Sequence, residues 1–408
     1  MNMFILALRN VLRNRRRSIA TIAAVAMGLA AVNLFGGYIS NVYKGLQTQA
    51  VSGERLGHLT IYKTGMLLEG KLRPHKYMFN AEESRKVSNI IRDSGNVKLV
   101  SPRISISGLA SNGQISSIFI GEGIVPEHAE ALREGLEEGV GGQLMPGRSY
   151  GISVSSDLAR LLGYKVGDTI TLLSSTLDGQ ANALDAEIVN IFNTGNAGTN
   201  DKYMVASLSF SQTLLDTDRV EKFVVLFDDE KLTLRKKEEL QTKLKAEGYD
   251  IEIKTWQELS SFYLQVKNLF NMIFSFIAVI VFVIAVMSIA NTIAMTVVER
   301  TREIGTMRSI GMRTGGVIKL FAYESAWLAI VGTGLGALVT FAVAMIVNHA
   351  GITYTPPNSS YAVALLVDLE WPQIIAVAFV VILLSVLSAV LPSIKAGRLK
   401  IVDALAHT

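Results

Sequence analysis

The segment ERTREIGTMRSIGM, Glu299–Met312, has the residue types of a docking surface and lacks those of a catalytic centre. Glu299 lies three residues before Arg302, and Arg300 lies three residues before Glu303. On a helix, side chains at this spacing are neighbours, and opposite charges then form ion pairs. The chemistry that this pattern predicts is charge recognition by a short helix.

The apolar residues of the same segment predict a knob on that helix. Ile304, Met307 and Ile310 recur every three residues and would share one face. Gly311 follows where the helix would end, as is typical of a C-terminal cap. A membrane-proximal loop that only satisfies the positive-inside rule would have a similar composition, and charge alone does not separate these two interpretations.

Other patterns that carry chemistry are missing from the sequence. It has no cysteine, which excludes disulfides, thiolate zinc sites and cysteine nucleophiles. It has no G-x-x-x-x-G-K-[ST] phosphate loop, no G-x-S-x-G elbow and no H-E-x-x-H zinc motif. Asp157, Asp168 and Asp185 fit cap and turn positions better than acid–base roles. We therefore predict no catalytic residue and no metal site in this chain.

Apolar windows on both sides of this segment predict membrane spans. Only 18% of the 408 residues are charged, and three windows contain no lysine or arginine. A span needs about 20 apolar residues. The predicted spans are Ser18–Ile39, Asn268–Val298, a stretch within Leu320–Val347, and Pro372–Ile394. Alternatives are long buried core helices and, for residues 1–35, a secretory signal peptide.

The positions of the basic residues predict the orientation of the spans. They precede span 1, fill the loop between spans 2 and 3, and follow span 4, whereas the loop between spans 3 and 4 has none. By the positive-inside rule, both termini and the 2–3 loop are cytoplasmic. Residues 1–17 have the pattern of an amphipathic helix on the cytoplasmic membrane surface. The net charge of +4 gives no indication of nucleic-acid binding.

The segment between spans 1 and 2, residues 53–258, predicts an α+β domain on the opposite side of the membrane. Strand patterns such as GHLTIYKTG, DAEIVNIFNTG, KFVVLFDD and YDIEIKT alternate with helical patterns such as AEESRKVSNIIRDSG and LRKKEELQTKLKAEG. Asn112-Gly113 predicts a turn between strands. Gly163 and Gly167-Asp168 predict a helix cap and a second turn.

Both edges of this domain show apolar residues spaced three and four apart, the spacing of a coiled-coil seam. We expect spans 1 and 2 to continue outward as a stalk along this seam; the alternative is local amphipathic helices packed under the domain. The seam residues are Ile39, Val42 and Leu46 on one side and Trp256, Leu259, Tyr263 and Val266 on the other.

The sequence resembles the permeases of MacB/FtsX/lipoprotein-release (LolC/LolE-like) ABC transporters. ERTREIGTMRSIGMRTGGVIKLFAYES resembles their loop between spans 2 and 3, ALRNVLRNRRRS their N-terminal segment, ISVSSDLARLLGYKVGDTITL part of their outer domain, and LPSIKAGRLKIVDALAH their tail. In that family the loop carries a coupling helix that docks on the ATPase. The resemblance implies these docking positions: Glu299, Arg300, Arg302, Glu303, Ile304, Met307, Arg308 and Gly311.

The resemblance implies an α-helical integral membrane protein with four transmembrane helices in a 1+3 layout and a large α+β periplasmic domain between helices 1 and 2. The expected segments are an amphipathic helix (1–17), span 1 with its stalk (18–52), the periplasmic domain (53–258) with an inserted subdomain at roughly 120–210, a stalk with span 2 (259–298), the coupling loop (299–319), span 3 (320–347), a short periplasmic loop (348–371), span 4 (372–394) and a cytoplasmic tail (395–408).

The resemblance also implies a mechanism, mechanotransmission, in which ATP hydrolysis by a separate ATPase changes the conformation of the periplasmic domain. The lipoprotein-release branch is favoured because no ATPase domain is fused to the chain and because GERLGHLTIYKTG is similar to that branch. Lipoproteins or other hydrophobic substrates would leave the outer leaflet between spans 1 and 2. Phe35, Tyr38, Phe270 and Phe274 could line that pocket, and their spacing fits ordinary packing equally well.

Partners and location follow from the same resemblance. We expect a dimer of ABC ATPase subunits, a second permease that is either a copy or a sister chain, membrane lipid, and a periplasmic lipoprotein carrier. This chain needs no cofactor, and ATP and Mg belong to the ATPase. The expected location is the inner membrane of a Gram-negative bacterium. Alternatives are a MacB-like efflux permease, an FtsX-like signalling permease that regulates a periplasmic hydrolase, and a membrane-anchored enzyme.

Overall fold

The computed structural model describes residues 3–70, 72–129, 131, 140–141, 144, 150–398, 401 and 404. The chain forms two compact units. The helical unit comprises Met1–Tyr43, Val266–Thr353 and Ala364–Thr408. The α+β unit comprises Lys44–Gln265 and Tyr354–Val363.

The elements are numbered along the chain. The N-terminal helices are α1 (Met3–Arg13) and α2 (Arg15–Thr48), which a π-helical turn, Gln49–Gly53, extends. The next elements are β1 (Leu59–Lys63), α3 (Met66–Glu69), α4 (Pro74–Tyr77), α5 (Ala81–Arg92), β2 (Val97–Ser111), β3 (Ser116–Ile124), β4 (Val140–Gly141), β5 (Gly151–Ser155), α6 (Ser156–Leu162), β6 (Thr169–Ser175), β7 (Ala181–Phe192), β8 (Tyr203–Ser207), α7 (Leu208–Leu215), β9 (Lys222–Phe227), α8 (Thr233–Ala246), β10 (Ile251–Thr255) and α9 (Trp256–Leu259). The last are α10 (Ser261–Glu299), α11 (Thr301–Ser309), α12 (Thr314–His349), β11 (Thr353–Tyr354), β12 (Val363–Ala364) and α13 (Trp371–Gly397).

Four helices of the described chain, α2, α10, α12 and α13, are long and apolar enough to cross a membrane. Glycines let α2 and α12 approach closely. A Cβ atom added at Gly332 would lie 2.8 Å from the Cγ1 atom of Val25, and one at Gly336 would lie 2.8 Å from the carbonyl oxygen of Ala26. Small residues at such contacts are typical of helix pairs in membranes, where van der Waals packing replaces the hydrophobic effect.

In the α+β unit, the described strands β1 to β10 form one sheet in the order β10-β1-β9-β2-β3-β8-β5-β7-β4, with β6 paired to both β2 and β7. Pairing is antiparallel except for β3–β8 and β5–β7. One hydrophobic cluster lies between β1, β9 and β10 and the helices α5 and α8. A second packs α6 and α7 on β3, β5, β6 and β7. The inserted subdomain expected at 120–210 stays a prediction, and its described strands belong to this continuous sheet.

Local sequence signals explain several of these elements. Asn80 caps α5, because its side chain accepts hydrogen bonds from the backbone N–H groups of Glu82 and Glu83 at 3.0 and 2.8 Å. The predicted glycine positions are confirmed, with left-handed backbone at Gly163 (φ 73°) and Gly167 (φ 95°). The short strands β4 and β8 and the short helices α3, α4 and α7 were not predicted.

The expectation of a continuous coiled-coil seam is wrong at residue 260. Helix α9 ends at Leu259, Ser260 has an extended backbone (φ −81°, ψ 91°), and α10 begins at Ser261. Because the spacing from Trp256 onward crosses this break, it does not describe one helix. The indole of Trp256 instead packs on Tyr263 with ring centroids 4.7 Å apart.

The other seam residues have separate surroundings. Leu46 packs with Trp256 and Tyr263 on a hydrophobic cluster that includes strand residues Val224 and Leu226. Ile39 is buried in the helical unit, whereas the side chains of Val42, Leu259 and Val266 are half-buried. These residues therefore stabilise local packing within each unit.

Three predicted boundaries change. The amphipathic helix expected over 1–17 ends at Arg13, and α2 begins at Arg15; residues 1–2 lie outside the described residues. The loop expected over 348–371 contributes Tyr354–Val363 to the α+β unit, where Ser359 bridges to Asn196. Of the tail expected over 395–408, residues 399–400, 402–403 and 405–408 lie outside the described part.

Candidate functional site

The predicted docking segment forms a separate short helix, α11. Arg300 interrupts the helical path between α10 and α11 with φ −108° and ψ 16°. Gly311, with φ 106°, follows α11 in a left-handed conformation that favours glycine. The short helix and its glycine end are therefore confirmed, and α11 is connected to spans on both sides by single turns.

Arg300 holds α11 to the next span. Its guanidinium donates to Glu303 at 2.7 Å and to Glu324 of α12 at 2.9 Å. The side chains of Arg300 and Glu324 are only 14% and 4% exposed. Asn10 of α1 also donates to Glu324, at 2.6 Å. One buried carboxylate of α12 thus binds both α1 and Arg300, the residue that directly precedes α11.

More exposed ion pairs surround this contact. Arg17 donates two hydrogen bonds to Glu299, at 3.0 and 2.7 Å. Arg13 pairs with Glu303 at 3.2 Å. The hydrogen bond from Arg300 lowers the pKa of Glu303 below its usual value. The predicted Arg300–Glu303 pair is confirmed, whereas the predicted Glu299–Arg302 pair is wrong because the two residues lie on different helices.

The apolar knob is different from the one that the spacing predicts. Ile304 is buried at 1% exposure in the core of the helical unit, and Met307 packs partly against the same core. Ile310 is 82% exposed. Ile304 therefore presents no surface to a partner, which corrects its expected docking role. The exposed residues of this surface, which we call the α11 surface, are Arg302, Thr306, Ser309, Ile310, Gly311 and Arg313.

Among the remaining predicted docking positions, Glu299 is exposed but paired with Arg17, and Arg308 is half-buried. Sequence reasoning missed Asn10, Arg17 and Glu324. Glu324 carried a detectable signal, because it is the one charged residue in the apolar window Leu320–Val347. A charged residue in such a window has a partner or a function by default.

The four aromatic residues predicted to line a substrate pocket do lie together. Phe35 of α2 is 6.5 Å from Phe270 and 6.4 Å from Phe274, measured between ring centroids. Tyr38 is 6.2 Å from Phe270. All four side chains are half-buried at the contact between α2 and α10. Their grouping is compatible with packing of the two helices and with an apolar binding surface.

Comparison with known families accounts for both units. The family model described as "MacB-like periplasmic core domain" matches residues 18–243, which is more than half of the chain. The model described as "FtsX-like permease C-terminal" matches residues 275–401 and includes α11. The chain belongs to the MacB/FtsX family of ABC transporter permeases. Permeases of this family work with ABC ATPase partners, and the α+β unit is their MacB-like periplasmic domain.

Named relatives cover different shares of the chain. The lipoprotein-releasing system transmembrane protein LolC of Xylella fastidiosa is 22% identical over 70% of this chain and 72% of its own length. The ABC transporter permease YtrF of Bacillus subtilis is 33% identical over 28% of this chain and 26% of its own length. The macrolide export ATP-binding/permease protein MacB of Shewanella is 30% identical over 34% of this chain and 19% of its own length.

Among solved structures, the periplasmic region of MacB from Actinobacillus actinomycetemcomitans matches 52% of this chain and 92% of its own, with 14% identity and a TM-score of 0.37.

Proposed function

We propose that this permease docks a separate ABC ATPase through the α11 surface and uses ATP hydrolysis to release lipoproteins or other hydrophobic substrates from the outer leaflet of the membrane. The proposal rests on the different surroundings of the two sides of α11, one buried and one exposed. Ile304 is buried in the core of the helical unit and Arg300, directly before α11, is bonded to Glu324 of α12, while Ile310 remains exposed after the last turn.

The α11 surface has the composition of a docking site for a protein. An isolated exposed isoleucine at 82% exposure can enter an apolar pocket, and full burial of such a side chain is worth about 1.5–3 kcal/mol. Arg302 and Arg313, which precede and follow it in the sequence, are also exposed. Basic residues around an apolar centre match a pocket with an acidic rim.

The buried Arg300–Glu324 contact makes α11 suitable for transmitting a displacement. A helix held only by flexible turns would move independently of the spans. Because Arg300 is bonded to both Glu303 and Glu324, a push on α11 is passed to α12. In this proposal ATP and Mg bind the ATPase, both termini face the cytoplasm, and the four spans follow a 1+3 layout with two permease chains in the complex.

The substrate assignment rests on the aromatic cluster and on LolC. Phe35, Tyr38, Phe270 and Phe274 form an apolar surface on α2 and α10. LolC, whose name describes a lipoprotein-releasing system, aligns over both units. We place the site of the acyl chains at this cluster, in the inner membrane of a Gram-negative bacterium. A periplasmic carrier would then receive the released lipoprotein.

The docking step is tested with Ile310→Asp. The permease and the ATPase are co-expressed and purified through a tag on the permease. Because Ile310 is exposed, the variant should fold and insert normally yet retain little ATPase. Leu68→Asp is the matched control, since Leu68 is 89% exposed on α3 of the α+β unit. Equal ATPase recovery from wild type and Ile310→Asp would refute docking through α11.

The substrate step is tested with a photo-crosslinking residue at position 274 in the reconstituted complex. The proposal expects crosslinks to lipid-modified protein that decrease on addition of ATP. A crosslinker at Phe276, which is 66% exposed on the same helix, is the control. Activation of a hydrolase without release of lipoprotein would favour the FtsX-like alternative, and ATP-driven extrusion of small amphiphiles would favour the MacB-like one.

A further inference from the structure

A buried group of charges lies in the α+β unit, where β2, β3 and β9 are neighbours. Arg103 of β2 and Lys222 of β9 are directly opposite in the strand register. Both bind the carboxylate of Glu122 on β3, at 2.6 Å each. Arg103 is 0%, Glu122 7% and Lys222 9% exposed.

A third buried cation, Arg55, belongs to this group. Its backbone is left-handed, with φ 54°, and its side chain is 6% exposed. Its guanidinium carbon lies 4.9 Å from the ring centre of Phe192 and 5.6 Å from that of Tyr203. Its carbonyl oxygen accepts a hydrogen bond from Arg103 at 2.9 Å. The guanidinium of Arg103 therefore contacts the backbone of Arg55, and both residues are buried.

The charges of this group do not balance. Arg55, Arg103 and Lys222 face one carboxylate, that of Glu122, which leaves two positive charges in excess. Burial alone would raise the pKa of Glu122, but the charges of Lys222 and Arg103 outweigh burial and hold this pKa at about 2. Glu122 is thus ionised, and its carboxylate is already bound by both Arg103 and Lys222. Glu221 also attracts Lys222, but its carboxylate is half-exposed and accepts from the backbone of Ser105.

Several donors of the group also lack an acceptor in the described structure. They are the Nε and Nη2 atoms of Arg103, the Nη1 atom of Arg55 and the hydroxyl of Ser101. Ser101 is 0% exposed and lies two residues before Arg103, so both side chains are on the same face of β2. Uncompensated buried charge and unsatisfied buried donors are each costly, and in this group they occur together.

We propose that this group, the Arg55–Arg103 site, binds a small monovalent anion of chloride size. The ion would accept hydrogen bonds from the orphan guanidinium atoms and from Ser101, and would neutralise part of the excess charge. We expect a small ion because the donors are buried, and protein interiors have few voids larger than a water molecule. In the proposed transporter the ion would stabilise the α+β unit independently of the ATPase.

The first test measures Tm of the full chain in lipid nanodiscs, in chloride and in gluconate at equal ionic strength. An ion at one hundred times its Kd raises Tm by roughly 5 °C or more for a unit of this size. Arg103→Gln should lose this difference. The control is Lys254→Gln, which removes a half-buried cation of β10 that is paired with Glu252, and this variant should keep the difference.

The second test places the missing negative charge in the protein itself. An aspartate at a fully buried position ordinarily destabilises a domain strongly. Ser101→Asp should instead be tolerated and should make Tm independent of chloride, because the carboxylate replaces the ion. The matched control is Ser211→Asp. Ser211 is also 0% exposed with an orphan hydroxyl, but its side chain lies against Gly123, on the face of β3 opposite to Glu122.

An equal Tm of the wild type in chloride and gluconate would overturn the proposal. It would indicate that water accepts the hydrogen bonds of these donors. So would a chloride effect that persists in Ser101→Asp, or loss of stability in Ser101→Asp as large as in Ser211→Asp. If Arg103→Gln does not fold, wild-type crystals grown in bromide decide the matter. Anomalous density beside Arg103 would support the site, and its absence would overturn it.

Discussion

The contact between Arg300 and Glu324 makes a quantitative prediction. Glu324→Ala removes the acceptor of both Arg300 and Asn10 at a position where the carboxylate side chain is 4% exposed. Breaking a buried ion pair from one side costs about 3–5 kcal/mol. Arg300 keeps Glu303 as a partner, so we expect the lower end, about 3 kcal/mol. This corresponds to a fall in Tm of roughly 6–12 °C.

The variant Glu303→Ala provides the comparison for the Tm loss of Glu324→Ala. The side chain of Glu303 is 42% exposed, and that of its partner Arg13 is 75% exposed. Exposed pairs contribute about 0.2–1 kcal/mol. Glu303→Ala should therefore lower Tm by no more than roughly 4 °C, although both variants delete one carboxylate bonded to Arg300.

The assay is thermal unfolding of both variants, of Arg300→Ala and of the double variant Arg300→Ala/Glu324→Ala, in the same nanodiscs. Because the double variant leaves no unpaired buried charge at this contact, it should be more stable than the sum of the single effects predicts. Equal losses for Glu324→Ala and Glu303→Ala, or strictly additive losses in the double variant, would refute the reasoning.

Three further predictions concern other parts of the chain. Gly336→Leu should lower stability by about 1–3 kcal/mol through overpacking of α2 against α12, whereas Gly334→Leu, where a Cβ meets nothing within 4 Å, should leave Tm nearly unchanged. Because Glu122 has a folded pKa of about 2 against an ordinary value of 4.5, its stabilisation is present above pH 4.5 and is lost as the pH falls toward 2; Glu122→Gln should flatten the dependence of Tm on pH in that window, and an unchanged slope would contradict this. Asn80→Ala removes the cap of α5 and should cost about 1 kcal/mol, measured as a Tm shift that Asn80→Asp does not produce.

Much of the fold could be predicted because the signals are local. Apolar windows of sufficient length identify α2, α10, α12 and α13, since crossing a membrane depends on the composition of one continuous segment. Turn and cap residues such as Gly163 and Asn80 act on neighbouring backbone groups. The break at Ser260 was missed because the apolar spacing continues through it, while the extended backbone of one residue ends the helix.

The candidate site could be predicted only in outline. Its position, its short helix and the Arg300–Glu303 pair depend on residues within a few positions of one another. The sequence does not say which side of α11 faces inward, because Ile304 and Ile310 are both isoleucines and belong to the same series of apolar residues spaced three apart. Packing against the other helices buries the first and leaves the second exposed.

The sequence by itself determined the four apolar helices, the strands and helices between the first two, and the place of the coupling segment. These features depend on interactions over a few residues or on the hydropathy of one segment. Only the tertiary structure decided the partners of the buried charges. Helix packing brings Arg300 to Glu324. Strand register brings Arg103 and Lys222 opposite each other, and both bind Glu122. Burial then makes each of these pairings energetically significant, since an ion taken out of water depends on whatever partner the fold places beside it.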